Sequence, residues 1–139
     1  MAAYAHMTTT QHATLNCLDS RFNRLISVID RVIESADFGL CEQLSHELQE
    51  LKQATLDLTH VENFHMKTIR FPAYIGHKLD HYKICSAIAG ICVKSCRGNC
   101  TLDDLQTFRE MLYYHITAYD YQFEHFLVTG EVTYDYWGT

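Results

Sequence analysis

The chain of 139 residues is 47% hydrophobic and 20% charged, with a formal net charge of −6, a composition typical of one soluble domain with its own core. Lysine and arginine form no cluster along the sequence, which argues against nucleic acid or an anionic membrane as a partner, since both need concentrated positive charge. No apolar run is as long as a membrane span, which needs about 18 residues, and the N-terminus shows no export signal. We therefore expect a cytoplasmic protein.

Four segments between sparse turn signals predict helices. Residues 1–14 show no clear pattern and are predicted to be a flexible N-terminal segment. The first helix is predicted from about Leu15 to Glu34, and the second from about Cys41 to Ile69. The apolar stripe of the second helix repeats leucine at helical spacing and then reaches Glu62, a carboxylate in a core position.

The third helix is predicted from about Tyr74 to Ser95, just after the chain's one proline, and the fourth begins at Thr101, a favourable N-cap residue. Strand signals are weak, because the β-branched residues follow helical spacing and no hairpin turn joins alternating runs. Four amphipathic helices with short connections predict an all-α, up-down-up-down antiparallel four-helix bundle over residues 15–128. Residues 129–139 are predicted to be a C-terminal tail.

Several polar residues occupy the core-facing lines of these helices. An ionised carboxylate is costly to bury without a partner, so such residues must pair, shift their pKa or bind a metal. Periodicity alone does not select Asp120, because five residues from His115 is a rotation of about 140° on an α-helix. On this evidence a metal site of nitrogen and oxygen ligands and a set of ordinary packed histidines remain alternatives. The candidate ligands are Glu62, His77, His81, His115 and Asp120.

The second half of the chain resembles the hemerythrins, the non-haem di-iron oxygen-binding bundles, including their bacterial members. The shared pattern is a glutamate four residues before a methionine, a proline six residues later, then P-x4-H-x3-H, and H-I-x3-D on the last helix. It covers about 65 residues, from Leu58 to Phe123. The matching positions are Glu62, Met66, Pro72, His77, His81, His115, Ile116 and Asp120.

The resemblance implies that one iron is bound by three histidines, His77, His81 and His115. It also implies that two carboxylates, Glu62 and Asp120, bridge this iron to a second one. Two further histidines hold the second iron in the family, and their positions carry Phe22 and Leu58 here. We therefore predict a mononuclear or altered site. His65 is an alternative ligand for a di-iron site, since it follows Glu62 at the E-x-x-H spacing of ferritin-like bundles; the other interpretation is a packing histidine.

We accordingly expect a hemerythrin-like, non-haem iron-binding domain that binds or senses O2, NO or redox state. A plain oxygen carrier is not expected, because carriage in the family relies on two irons that supply two electrons. The cofactor is predicted to be one or two iron ions, with manganese or zinc as alternatives. A superoxide- or peroxide-reactive metalloenzyme and a metal-free interaction bundle are alternative functions, and no enzymatic activity is assigned. The aromatic tail could also form a homodimer face.

The six cysteines are expected to be free thiols in a reducing compartment, without a structural disulfide. They are Cys17, Cys41, Cys85, Cys92, Cys96 and Cys100. The last four form a row along one edge of the third helix and just beyond it. We interpret this row as packing between helices, with a second, thiolate metal site as the alternative.

Overall fold

The computed structural model describes residues 9–37 and 41–131, and side chains over 22–36 and 42–131. Within this part of the chain the structure is helical and contains no strand, so the predicted all-α class is confirmed. Four long helices are α1 (Thr9–Asp37), α2 (Cys41–Thr68), α3 (Tyr74–Cys96) and α4 (Leu102–His115). The last continues through one π-helical turn (Ile116–Asp120) into α5 (Tyr121–Thr129). No helix in the described residues is long and apolar enough to cross a membrane.

The helices bury two apolar clusters that lie on either side of a polar layer. α1 packs on α2 and α4, and α3 packs on the same two helices. The larger cluster draws on all four helices and includes Phe22, Leu25, Ile29, Leu48, Leu58, Ile84, Ile88, Phe108 and Leu112. The smaller cluster consists of Met66, Phe71 and Phe123. On α2, Glu62 falls between Leu58 of the larger cluster and Met66 of the smaller one, which places this carboxylate in the interior.

The first helix is longer than its apolar stripe predicts. α1 begins at Thr9, six residues before the predicted start at Leu15, so the later part of segment 1–14 is helical. The stripe marks only the length of helix that packs on the core, and no glycine or proline precedes it to stop the helix earlier. Residues 1–8, and most of the predicted tail 129–139, lie outside the described residues.

The turn between α2 and α3 returns the chain towards Glu62. The Phe71 N–H donates to the Met66 carbonyl oxygen at 2.9 Å, and the Arg70 N–H donates to that of Lys67 at 3.2 Å. These two bonds form a Schellman turn, with Arg70 in the left-handed region at φ 58. Pro72, which cannot continue α2, follows directly, and α3 begins at Tyr74. The first turn of α3 therefore lies close to the end of α2.

The predicted N-cap of α4 is confirmed. The Thr101 hydroxyl accepts the Asp104 N–H at 3.2 Å, and the Asp104 carboxylate accepts the Thr101 N–H at 3.0 Å. This reciprocal capping box sets the first residue of α4 and therefore the register of its core face.

Candidate metal centre

Five side chains converge between the two apolar clusters, and all five are buried. Each offers one nitrogen or oxygen atom, and these atoms all lie within 4.8 Å of one another. They come from α2, α3, α4 and the π turn, in chain order Glu62, His77, His81, His115 and Asp120. The structure therefore brings together every candidate ligand that the core-facing lines and the hemerythrin resemblance select.

The three imidazoles direct their Nε2 atoms to one point. His115 Nε2 lies 3.2 Å from His77 Nε2 and 3.1 Å from His81 Nε2. Two nitrogens that each lie about 2.1 Å from one ion stand about 3.0 Å apart at a right angle and about 3.4 Å apart at the tetrahedral angle. Both observed separations lie between these values, so His115 Nε2 is spaced from each of the other two nitrogens as two ligands of one ion would be.

The two carboxylates approach the same point. Glu62 Oε1 lies 2.7 Å from His77 Nε2 and 3.0 Å from His81 Nε2, and Asp120 Oδ1 lies 3.0 Å from His115 Nε2. These distances would suit hydrogen bonds, yet none of the four carboxylate oxygens has a partner in hydrogen-bond geometry. Buried carboxylate oxygens normally have one. Glu62 Oε1 and Asp120 Oδ1 thus lie against the imidazole nitrogens without hydrogen-bonding to them, as two ligands of a common ion would.

The carboxylates set up a field that favours positive charge at this centre. Burial alone would lower the pKa of His115, but three neighbouring carboxylates outweigh burial and raise that pKa well above its usual value. The pKa of His77 is raised in the same way, whereas burial dominates at His81 and lowers its pKa to about 4. Burial would raise the pKa of Glu62, but the adjacent histidines hold it well below its usual range. A cation between these side chains would be stabilised by the same field.

Two residues that the sequence patterns did not select contact the Nδ1 atoms of two of the imidazoles, on the side of each ring away from the centre. His81 Nδ1 lies 2.7 Å from Asn63 Oδ1, and His115 Nδ1 lies 2.6 Å from Asp80 Oδ2. An Nδ1–H that donates outward leaves the Nε2 lone pair facing inward, which is the tautomer a metal ligand needs. The sequence contains one signal for them, which is their position next to candidate ligands. Asn63 follows Glu62 and Asp80 precedes His81, so each is rotated about 100° from the core-facing line of its helix, towards the neighbouring helix.

Asp120 reaches the centre because the last helix is not continuously α-helical, contrary to our prediction. The Tyr121 N–H donates to the Ile116 carbonyl oxygen, five residues back, which is the π-helical pattern. A π turn holds more residues than an α turn, so Asp120 lies roughly one turn below His115 instead of about 140° around the helix. The H-I-x3-D pattern of the hemerythrin resemblance thus has a physical explanation in this chain.

Deleting Thr117, an exposed residue of the π turn, is expected to leave a folded protein that still has the five-residue centre. The deletion converts the wide turn into an ordinary α turn in which the aspartate follows His115 by four residues. Phe123 and the rest of α5 then keep their packing. Helical content by circular dichroism and metal binding by elemental analysis would both be retained.

The matched control is deletion of Glu110, an exposed residue in the regular part of α4. There the missing residue rotates the two ends of the helix by about 100° relative to each other, so the variant should unfold. If deletion of Thr117 unfolds the protein as deletion of Glu110 does, the π turn is not what sets the position of Asp120.

Apolar side chains enclose the centre. Phe22 is only 2% exposed, and its ring centroid lies 5.2 Å from that of His115. Leu58, at 6% exposed, lies one turn before Glu62 on the same helix. His65 is outside the group of five, and its ring packs edge-on against Phe123 at 5.4 Å. The positions where the hemerythrin resemblance implies two more histidines are therefore filled by hydrophobic packing.

The cysteine row does not form a second group of this kind among the described residues. Cys85, Cys92, Cys96 and Cys100 are all free thiols. Cys92 is buried and its thiol donates to the Leu48 carbonyl oxygen at 3.5 Å, whereas Cys96 is exposed. Burial raises the pKa of Cys92 and of Cys100, which favours the thiol form. Cys92 thus acts as a packing residue; the side chains of Cys17 and Cys41 lie outside the described residues.

Comparison with protein-family models, with curated proteins and with solved structures finds no match to this chain.

Proposed function

We propose that this protein is a hemerythrin-like, up-down-up-down antiparallel four-helix bundle that binds one redox-active metal ion, most simply iron. We further propose that it uses the ion to bind or sense O2, NO or redox state in the cytoplasm. The observation that carries the proposal is the burial of five nitrogen and oxygen donors within 4.8 Å of one another. The proposed ligands are Glu62, His77, His81, His115 and Asp120.

The proposed antiparallel arrangement is supported by contacts that run in opposite chain directions on neighbouring helices. Between α2 and α3, Ser45 contacts Ser95 at 3.0 Å, whereas Asn63 contacts His81 at 2.7 Å. Between α3 and α4, Lys94 pairs with Asp104, and Asp80 with His115. Between α1 and α4, Asp30 pairs with Arg109, and Phe22 packs on His115.

The donor set favours iron or manganese over other ions. Imidazole suits transition metals, and carboxylate suits harder ions, so three nitrogens with two oxygens fit iron or manganese. Calcium and magnesium prefer oxygen ligands throughout, and protein-bound zinc is usually four-coordinate, one fewer than the five donors present. The two ligand carboxylates would also neutralise a divalent ion, so that the ion and its five ligands together carry no net charge and are less costly to enclose.

A single ion is supported by the residues that surround the ligands. Glu62 Oε1 and Asp120 Oδ1 face the same three imidazoles. On the side where a second ion would need nitrogen ligands, Phe22 and Leu58 provide only carbon. The buried, apolar wall formed by these two side chains leaves a second ion without the histidines that hold it in the hemerythrins.

Five protein donors leave one position of a six-coordinate ion for a small ligand. Ferrous iron held by these residues would supply one-electron redox chemistry and a place for a diatomic ligand. The surrounding aromatic side chains favour neutral ligands over ions: the ring centroids of Phe71 and Phe123 lie 6.4 and 6.1 Å from that of His77. O2 and NO are both small and uncharged, and they therefore suit this enclosure.

Anaerobic loading with ferrous iron tests this function. The loaded protein is expected to change its absorption spectrum when NO is added, and to change it again on oxidation and re-reduction. The spectral change should saturate at one NO per bound iron. Iron-loaded protein whose spectrum responds to none of O2, NO or reductant would contradict a sensing role, even though the metal is bound.

A further inference from the structure

Two imidazoles of the proposed centre donate their Nδ1 protons to side chains of different charge, one a carboxylate and the other a neutral amide. His115 donates from Nδ1 to the Asp80 carboxylate at 2.6 Å, and His81 donates from Nδ1 to the Asn63 amide oxygen at 2.7 Å. The third imidazole, that of His77, has a buried Nδ1 with no hydrogen-bond partner. The three nitrogen ligands are therefore electronically unequal although their Nε2 atoms meet at one point.

Asp80 acts on His115 in a shielded environment. The His115 side chain is fully buried, and that of Asp80 is 14% exposed. Asp80 is not one of the five grouped donors. Within the described residues, no lysine or arginine forms a salt bridge with it. Its charge is thus directed at one imidazole and is only partly screened by water.

A charged acceptor changes a metal ligand more than a neutral one does. Hydrogen bonds to an ionised acceptor are roughly twice as strong as those between neutral groups. A carboxylate that accepts the Nδ1 proton also raises the basicity of Nε2 and fixes the orientation of the ring. Greater electron donation stabilises the more oxidised form of a bound metal, while an amide oxygen orients the ring with a smaller electronic effect.

We propose that Asp80 is a positioning residue that holds His115 towards the metal and, through its charge, lowers the redox potential of the bound ion. Asn63 orients His81 without adding charge, so the pair sets a defined potential for the centre. This inference rests on the proposed metal site and extends it: the potential would be set by two side chains outside the group of five donors.

The test compares Asp80→Asn and Asn63→Asp with a charge-matched control, Glu110→Gln, which changes an exposed carboxylate on the same helix as His115. Each variant is loaded with iron, and its affinity is measured by chelator competition and its midpoint potential by redox titration. Asp80→Asn is expected to bind iron about 10- to 100-fold more weakly and to have a higher potential. Asn63→Asp should lower the potential, and Glu110→Gln should change neither quantity.

The midpoint potential is expected to shift in opposite directions in Asp80→Asn and Asn63→Asp. Opposite shifts distinguish an effect of charge from a general disturbance of the site. The double variant Asp80→Asn/Asn63→Asp should return the potential towards the wild-type value, because it moves the charge from one imidazole to the other. An iron-loaded Asp80→Asn protein with a wild-type potential would overturn this inference, as would shifts of equal sign in both single variants. Wild-type protein that takes up no iron would instead overturn the proposed function, so the two failures are distinguishable.

Discussion

Replacing His115 by glutamine is expected to abolish stable metal binding and to remove the stabilisation that the metal provides. His115 Nε2 lies within 3.2 Å of the Nε2 atoms of His77 and His81 and 3.0 Å from Asp120 Oδ1. The substitution therefore removes a donor that lies next to three of the other four. A metal present at about 1,000 times its dissociation constant stabilises the folded state by about 4 kcal/mol. For a chain of this size that is a rise in melting temperature of about 10–20 °C.

The measurement is a pair of thermal melts, with metal and with chelator, together with elemental analysis. Wild-type protein should melt at a higher temperature with metal, while His115→Gln should melt at the same temperature in both. His60→Gln changes an exposed histidine on α2, and His65→Gln changes the histidine packed on Phe123. Both controls should retain the metal. A folded His115→Gln protein with a full complement of metal would show that the five-residue centre is not the binding site.

Introducing histidine at both Phe22 and Leu58 is expected to raise the metal content from one to two ions per chain. The hemerythrin resemblance places the missing nitrogen ligands at these positions, and the Phe22 ring already lies 5.2 Å from the His115 ring. Glu62 Oε2 and Asp120 Oδ2 are buried without hydrogen-bond partners, which leaves them available to a second ion. Without metal the double variant should lose a few kcal/mol of stability, since two more polar side chains are buried.

Elemental analysis and melting temperature of the single and double variants check this result. Each single variant provides one of the two missing ligands and should still hold one ion. The double variant should hold two and should gain more stability from metal than the wild type does. A folded double variant with one ion would show that these positions do not face a second metal site.

The helical fold was predictable because it depends on patterns that the sequence states directly. The apolar stripes predicted four helices, and the Thr101 N-cap predicted where α4 begins. The early start of α1 at Thr9 was not predictable, because an apolar stripe reports packing and says little about a helix that extends beyond its partners. How neighbouring helices run relative to one another was an inference from short connections alone.

The candidate centre was predictable only in part. Glu62 stood out as a carboxylate in a leucine stripe, and His77 and His115 lay on core-facing lines. Asp120 could not be selected by periodicity, because its placement depends on a π turn, which a regular helical repeat does not describe. Asn63 and Asp80 were missed for a related reason: they are ordinary polar residues beside the core line, and only their contacts with His81 and His115 reveal their role.

The most direct test of the central claim is the metal content of wild-type protein purified without added metal, with protein concentration determined by amino-acid analysis. We predict about one ion per chain, mainly iron, with its absorption spectrum altered by reduction. Two ions per chain would contradict the mononuclear centre. Folded protein that contains only traces of metal, and that takes up neither ferrous iron nor manganese when these are supplied, would contradict the metal-binding function itself.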